Sequence, residues 1–445
     1  MIGKIYKFVN MNPGPVKIFT VRDVHRLRYI AEIILGEILG LSWEIVTDKR
    51  KLGKNPVINY SDEFLNGSFK IYPHGLLSQT GLKVYELSVS DWKGLPVFFQ
   101  SPAGSDLPFD IFAASFFLVS RYEEYLTFEP DKFGRFNASQ SFAYRNKFLL
   151  RHVIDLWTRE LAKSLLSKFQ NLAFKRNNFR LLLTIDVDQP FAYLGKDIFR
   201  SLGGLLKDMS RKTGKAGERY RTVAKGGKDP FDVFDFIFET IEKNNPDVRF
   251  FIPTGNRSAY DKNPSWENED YRKLIKRISQ KFSIGLHPSF AASDNASILL
   301  DEKKRLQSIV SKDILLSRFH YIKMRFPESC RNLIAAGINE DYSMGYPDEP
   351  GFRAGIARPF FFYDIIEERK TGLKIYPFQV MDSTLYAYKN LNPVEAEELV
   401  VGIIDETKKV GGLYMSIWHN TSLLDNPEYH GWRKLFENIL ERQHL

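Results

Sequence analysis

Two aspartates one residue apart close an apolar run, Arg180-Leu181-Leu182-Leu183-Thr184-Ile185-Asp186-Val187-Asp188-Gln189-Pro190. Such a run, with β-branched residues and a proline to stop it, reads as a buried strand of a parallel sheet. Alternation along a strand puts Thr184, Asp186 and Asp188 on one face, with Ile185 and Val187 on the other. Neighbouring carboxylates repel unless a positive group sits between them or one keeps a proton. A metal ion supplies that charge and leaves the second carboxylate free to act as a base. An edge strand with two solvated acids is the other reading of the same spacing.

Further reactive side chains follow other apolar runs. Phe282–Leu286 leads into His287-Pro288-Ser289-Phe290, Leu315–Phe319 presents Arg318 and then His320-Tyr321, and Gly412–Ile417 leads into Trp418-His419-Asn420-Thr421. A lone histidine is usually a satisfied structural residue. Three of the chain's 8 histidines placed at strand ends, converging with two aspartates on one rim, form a candidate site. At the last of them, alternation puts Ile417 and His419 on one face and Trp418 on the other. His419 could also simply cap the strand end.

These side chains need elements to position them. From Phe179 onward, predicted strands at 248–252, 282–286, 315–319, 337–341, 373–376 and 412–417 alternate with predicted helices at 231–243, 270–280 and 296–310. That alternation predicts an α/β fold, a distorted (β/α)7-8 barrel over residues 179–445, with its chemistry at the carboxyl ends of the strands. Residues 1–175 read as a smaller α/β domain of unknown role. It has a helix over 23–39 ended by Gly40, strands at 42–47, 56–60 and 95–99, a helix over 110–126 and another over 152–169. No catalytic spacing occurs there, and Arg121-Tyr122-Glu123-Glu124-Tyr125 reads as a charged helix end.

Composition narrows the class. At 445 residues the chain suggests two domains, and 43% hydrophobic with 26% charged residues is ordinary for a globular protein. The 14% aromatic content suits sugar platforms as well as bulky cores. The single cysteine, Cys330, excludes an internal disulfide and a cysteine-based zinc site. With no signal-peptide pattern at Met1-Ile2-Gly3-Lys4 and no spanning window, a cytoplasmic location is expected. The net charge of +9 gathers in Lys207 to Lys228, read as a mobile loop. No nucleic-acid motif accompanies it, so an anionic substrate, a peripheral membrane contact or plain solvation are its readings. Nothing indicates the oligomeric state.

The pattern resembles the polysaccharide deacetylase family (carbohydrate esterase family four) over residues 179–445. It is similar to a bacterial subgroup whose uncharacterised amino-terminal domain resembles residues 1–175. The strings that carry the resemblance are Thr184-x-Asp186-x-Asp188, His287-Pro288-Ser289-Phe290, Arg318-Phe319-His320-Tyr321, Asp341-Tyr342-Ser343-Met344-Gly345-Tyr346, Gly351-Phe352-Arg353-Ala354-Gly355 and Trp418-His419-Asn420. The resemblance implies a metal-dependent hydrolase that removes an N-acetyl group from an amino sugar of a polysaccharide or glycan precursor.

It further implies Asp186 as general base, Asp188 and His287 as ligands of a divalent ion (zinc being the expected one), Arg318 as partner of the base, and His419 as general acid. A nearby acid, for which Asp382 is the candidate, should keep His419 charged. Ser289, His320, Tyr321, Arg353, Trp418 and Asn420 are the expected substrate-binding residues. The family's His-x-x-x-His pattern is broken here, because Ala291 stands four residues after His287. Ser289, Ser293, Asp294, His320 or water are the candidates for the third ligand. Two alternatives remain beside this reading: an impaired deacetylase fold that binds glycans, and a deacylase of a nucleotide- or lipid-linked sugar.

Overall fold

The structure, a computed structural model, describes residues 14–194 and 215–442. The chain begins with a parallel sheet ordered β2-β1-β3-β4, from β1 (Val16–Phe19), β2 (Trp43–Val46), β3 (Val57–Asn59) and β4 (Phe69–Lys70). The strand β1, between β2 and β3, was not among the strands expected from the sequence. The helix expected over 23–39 is α-helical at His25–Ala31 and continues as a π-helix through Glu32–Ile38. Gly40, at φ 70°, then ends it.

Two expectations in this region need correction. The stretch expected as a strand at 95–99 is one arm of a hairpin, β6 (Leu95–Val97) against β5 (Ser90–Trp92), outside the parallel layer. The helix expected to reach 126 stops at Val119, since Arg121 takes φ 54°. In that conformation its guanidinium reaches Glu124 at 2.7 Å and Glu123 at 2.8 Å, and a buried ion-pair network overrides helix propensity.

The second sheet has nine strands in the order β12-β13-β11-β10-β9-β8-β7-β15-β14. They are β7 (Arg180–Asp186), β8 (Asp247–Ile252), β9 (Ser283–Leu286), β10 (Leu316–Ser317), β11 (Glu340–Met344), β12 (Phe360–Asp364), β13 (Arg369–Pro377), β14 (Val380–Met381) and β15 (Leu413–His419). Every pairing is parallel except β12 with β13. The sheet curls, and the segment after β13 touches both of its flanks: Phe378 N–H donates to Met344 O and Gln379 N–H to Met415 O, each at 3.0 Å. The fold departs from a regular repeat of strand and helix, because an antiparallel strand, not a helix, follows β11. The strand expected at 337–341 lies at Glu340–Met344, since Gly337 (φ 69°) is still part of the turn before it.

Period-2 alternation sorts the side chains. Leu182, Phe251, Tyr342, Met415 and Ile417 pack inside the curl, while Leu183, Ile185, Phe250 and Trp418 pack outward into the larger core. The helices Phe234–Asn244, Glu269–Lys281, Ala296–Val310 and Glu328–Ala335 each follow one strand and cover that outer face. The first sheet's region packs on the second through buried polar ties. Glu124 pairs with Arg353 at 2.5 Å, Asp155 with Arg358 at 2.6 Å, and Tyr29 donates to Phe361 O at 2.7 Å.

Part of the basic segment expected as a loop, 207–214, lies outside the described residues; the rest contains a helix at Lys215–Lys225. Among the described residues no helix is long and apolar enough to cross a membrane.

Inside the curl, Gly285 leaves room for its neighbours: a Cβ there would lie 2.6 Å from the Phe251 ring and 2.9 Å from Leu316 Cβ. Gly285→Ala should therefore cost about 1–3 kcal/mol, the range for overpacking a tight interior. Urea unfolding measures it, and an unchanged midpoint would mean the curl is looser than described.

Candidate active site

The chemistry-bearing residues meet at the carboxyl ends of the parallel strands. Asp186 ends β7 and is in register with His419, which ends β15. Asp188 lies two residues beyond β7, His287 directly after β9, and Arg318 and His320 just after β10. Asp186, Asp188, His287, His320 and His419 line one cleft of about 290 Å3, with Tyr260, Tyr321, Tyr386 and Tyr388 along its walls.

Arg318 lies beneath this cleft, fully buried. Its Nη1 donates to Thr184 Oγ1 at 2.7 Å and to Asp186 Oδ1 at 2.9 Å, and its Nε donates to Tyr342 O at 3.1 Å. Its guanidinium carbon stands 4.5 Å from the centre of the Phe251 ring. The expected face-sharing of Thr184 and Asp186 is thus read directly by one guanidinium.

Each histidine has one ring nitrogen tied down. His287 Nδ1 is 2.6 Å from Arg318 O, a carbonyl that can only accept, so Nδ1 carries the hydrogen. His320 Nδ1 is held by Asp261 Oδ1 at 2.9 Å. Both Nε2 atoms therefore turn inward, to Asp188: His287 Nε2 stands 3.1 Å from Oδ1 and His320 Nε2 3.3 Å from Oδ2. Asp188, His287 and His320 offer three ligand atoms, all within 4.8 Å of one another.

Whether a cation fits can be tested on the donors themselves. Asp188 Oδ1 and His287 Nε2 are buried and have no hydrogen-bond partner among the described residues. A carboxylate oxygen facing an imidazole lone pair is repulsive, and a divalent ion between them removes the conflict. The two histidines are also oriented by acceptors behind them, as ligating imidazoles usually are. The site fits a metal.

His419 faces the same cleft from the opposite side. Its Nδ1 lies 2.7 Å from Asp382 Oδ1, and its backbone N–H donates to Asp382 Oδ2 at 2.7 Å. Burial disfavours a charge on this ring, but Asp382 first, then Asp188 and Asp186, outweigh it and raise its pKa to about 10. The free Nε2 points at the cleft, 3.7 Å from Asp188 Oδ2.

Other sequence expectations fall elsewhere. Of the candidates for a third ligand, Ser289 gives its hydroxyl hydrogen to buried Glu302 at 2.5 Å, Ser293 gives its own to Phe290 O at 2.7 Å, and Asp294 pairs with Lys323. His320, expected to bind substrate, is the residue whose nitrogen joins Asp188 and His287. Ser289, Arg353, Trp418 and Asn420 do not reach the cleft. Arg353 is spent on Glu124 and the Gly345 carbonyl. Trp418 is 1% exposed and packs on Phe436, because alternation turns it away from His419. Asn420 donates to Gln189 O at 2.9 Å and Phe231 O at 3.2 Å, tying two loops together. Asp261, Tyr260, Tyr386 and Arg135 were missed. Asp261, Tyr260 and Arg135 come from loops and Tyr386 from the short π-helix Thr384–Tyr388, none of them with a pattern that marks it as a site residue in a single sequence.

The chain matches a model described as a family of unknown function (DUF7033) over residues 16–170. No curated protein matches it. Among solved structures it is similar to a proposed polysaccharide deacetylase from Mycobacterium smegmatis, at 13% identity and TM-score 0.39, covering 60% of this chain and 85% of that one. A polysaccharide deacetylase from Bacillus cereus matches at 12% identity and TM-score 0.30, covering 60% of this chain and 89% of its own. A carbohydrate esterase family four pseudoenzyme from Bacillus anthracis matches at 11% identity and TM-score 0.30, covering 60% and 63%. Similarity at this level carries no statement about activity, which rests on the site itself.

Burial works against a proton on His320, yet Asp188 and then Asp261 hold its pKa up at about 9. Below that pH the proton competes with a cation for the ring; above it the competition ends. The apparent affinity for a divalent ion should then climb about tenfold per pH unit toward 9 and level off beyond it. Competition against a chromophoric chelator reads this directly. An affinity that stays flat between about pH 6 and 8 would count against His320 as a ligand.

Proposed function

We propose that this protein is a metal-dependent hydrolase that removes an acetyl group from an amino sugar of a polysaccharide or glycan precursor. One observation carries the reading: a guanidinium-clamped carboxylate, an Asp-His-His ligand set and an acid-paired histidine face a single tyrosine-lined cleft. Asp188, His287 and His320 would hold the ion, and zinc suits their one oxygen and two nitrogens. The order of motifs along the chain, resembling that of polysaccharide deacetylases, agrees with this assignment. The catalytic unit spans residues 179–445, and residues 1–175 form the amino-terminal domain.

An ion held by Asp188, His287 and His320 would supply Lewis-acid chemistry, polarising an acyl carbonyl and lowering the pKa of a water. Everything else falls to the chain's own residues. Arg318 holds Asp186 Oδ1, so Oδ2 is the oxygen free to take the water's proton. His419, kept charged by Asp382, delivers a proton from Nε2 to the departing amine nitrogen. Water and amide thus become carboxylic acid and amine, and the proton left on Asp186 returns through solvent to His419, so both residues are restored and protons balance. The tyrosines along the cleft supply ring faces and hydroxyls on which sugars stack and bond.

Asp186→Asn keeps shape but removes the proton acceptor, so turnover should drop about a hundredfold or more with metal content unchanged. Acetate release from a panel of N-acetylated sugars measures it, and a near-native rate would unseat Asp186 as the base. His419→Ala should slow amide substrates far more than activated aryl esters, whose leaving groups depart without a proton. Equal slowing of both would assign His419 to another role. A wild-type protein that binds zinc and glycan but releases no acetate from any substrate would point instead to a glycan-binding fold.

A further inference from the structure

His320 is followed by an unusual stretch of backbone. Tyr321 has φ 59° and ψ 9°, and Ile322 has φ 55°. Two consecutive residues with a Cβ in the left-handed region, one of them β-branched, constitute real strain, which persists only where surrounding structure imposes it. The strain sits immediately beside the ring that faces Asp188.

The turn is closed by its own backbone bonds, Ile322 N–H to Phe319 O at 3.0 Å and Lys323 N–H to His320 O at 3.2 Å, and among the described residues its one charged donor comes from the amino-terminal region. Arg135 Nη1 donates to Tyr321 O at 2.6 Å. Arg135 is itself prepared for this contact, since its Nε donates to Asp131 Oδ2 at 2.8 Å. Asp131 Oδ1 in turn accepts the backbone N–H groups of Phe133 and Arg135, both at 2.9 Å, so residues 131–135 close on themselves as a turn. The Phe133 ring lies 5.0 Å from the Tyr321 ring, and the guanidinium of Arg135 stands 4.8 Å from the centre of the Phe133 ring. Tyr321 is also 4.4 Å from the ring of His320, so the clamp reaches the candidate ligand within one residue.

We infer that Arg135 is a positioning residue for the metal centre: by holding the Tyr321 carbonyl it keeps the strained turn closed and His320 Nε2 aimed at Asp188. The amino-terminal region is then part of the active centre, though none of its residues ligates the ion. This rests on His320 being the third ligand. Without the guanidinium, a carbonyl loses its charged donor and Tyr321 is free to relax toward negative φ. The peptide that carries His320 then turns, and the ligand drifts from its partners.

The test uses the full-length protein and zinc alone, with affinity measured by chelator competition and ligand geometry by the visible spectrum of the cobalt-substituted form. Arg135→Ala should weaken zinc binding about tenfold, as loss of an outer partner of a ligating histidine does, and shift the cobalt spectrum. Arg135→Lys, which still reaches the carbonyl, should stay within about threefold of the native affinity. Lys132→Ala removes a cation from the same turn, where it lies over the Phe133 ring, but leaves the Arg135 bond to the Tyr321 carbonyl in place, and should stay within about threefold of native.

The decisive variant adds Tyr321→Gly to Arg135→Ala. Glycine accepts the left-handed conformation without strain, so affinity should return to within about threefold of native if the clamp acts through that turn. A merely structural Arg135 would not be rescued this way. If Arg135→Ala leaves zinc affinity and the cobalt spectrum unchanged while His320→Ala weakens binding about a hundredfold, the inference is wrong and the three-ligand centre stands. If His320→Ala itself leaves affinity unchanged, the centre as proposed is wrong.

Discussion

A guanidinium enclosed by the curled sheet is the constraint on which the site depends. Arg318 lies fully buried among residues such as Leu182, Phe251 and Tyr342, where an unpaired charge could not persist. Its cost is offset by Asp186 at 2.9 Å, Thr184 at 2.7 Å, the Tyr342 carbonyl at 3.1 Å and the face of Phe251. Breaking such an arrangement from one side leaves a buried charge uncompensated, a loss of about 3–5 kcal/mol. The same bonds fix β7 and β11 relative to the end of β10. A one-residue slip of β7 would turn Thr184 and Asp186 outward and bring Leu183 and Ile185 into the curl. Stability and the orientation of Asp186 are therefore one requirement.

The histidines repeat a single device. Each has its Nδ1 held from behind, by the Arg318 carbonyl, by Asp261 or by Asp382, and each turns its Nε2 into the cleft. Fixing one nitrogen selects the tautomer and removes the freedom of the ring, so the other nitrogen arrives already aimed. The holders belong to different segments: the backbone after β10, the loop after β8, and the chain just beyond β14. The cleft is consequently sensitive to loops that contribute no reacting atom. Asp261 shows how far this goes, since its carboxylate also accepts the Phe290 N–H at 3.0 Å and the Ser258 hydroxyl at 2.6 Å, joining the loops after β8 and β9 to His320.

The same economy ties residues 14–170 to the rest. Their polar side chains are spent on the second sheet and its loops: Arg26 on Glu368, Glu124 on Arg353, Asp155 on Arg358, Arg135 on Tyr321. Apolar residues of both regions belong to one continuous core. Phe133 meets Tyr321 and Phe290 in an aromatic wall beside the cleft, where Tyr260 and Phe290 stack at 4.0 Å. A surface so built resists detachment, because separating it would expose paired charges and apolar rings together.

By itself the sequence determined what period-2 and helical patterns encode. The strand at 180–186, the inward set of Thr184 and Asp186, and the opposition of His419 and Trp418 were readable, because they follow from alternation, while Asp382 as the partner of His419 followed from the general-acid role that the family resemblance implies. Only the tertiary structure decided which residue joins Asp188 and His287. Ser289 and His320 both sat in plausible places, and the choice fell to the geometry of the β9 and β10 loops, where Glu302 had already taken Ser289. It also decided that Arg353 and Asn420 serve the scaffold and that a turn at 131–135 reaches the cleft wall. Contacts between residues 186 positions apart, such as Arg135 with Tyr321, are made by the packing of two sheets, and no local pattern in a chain records them.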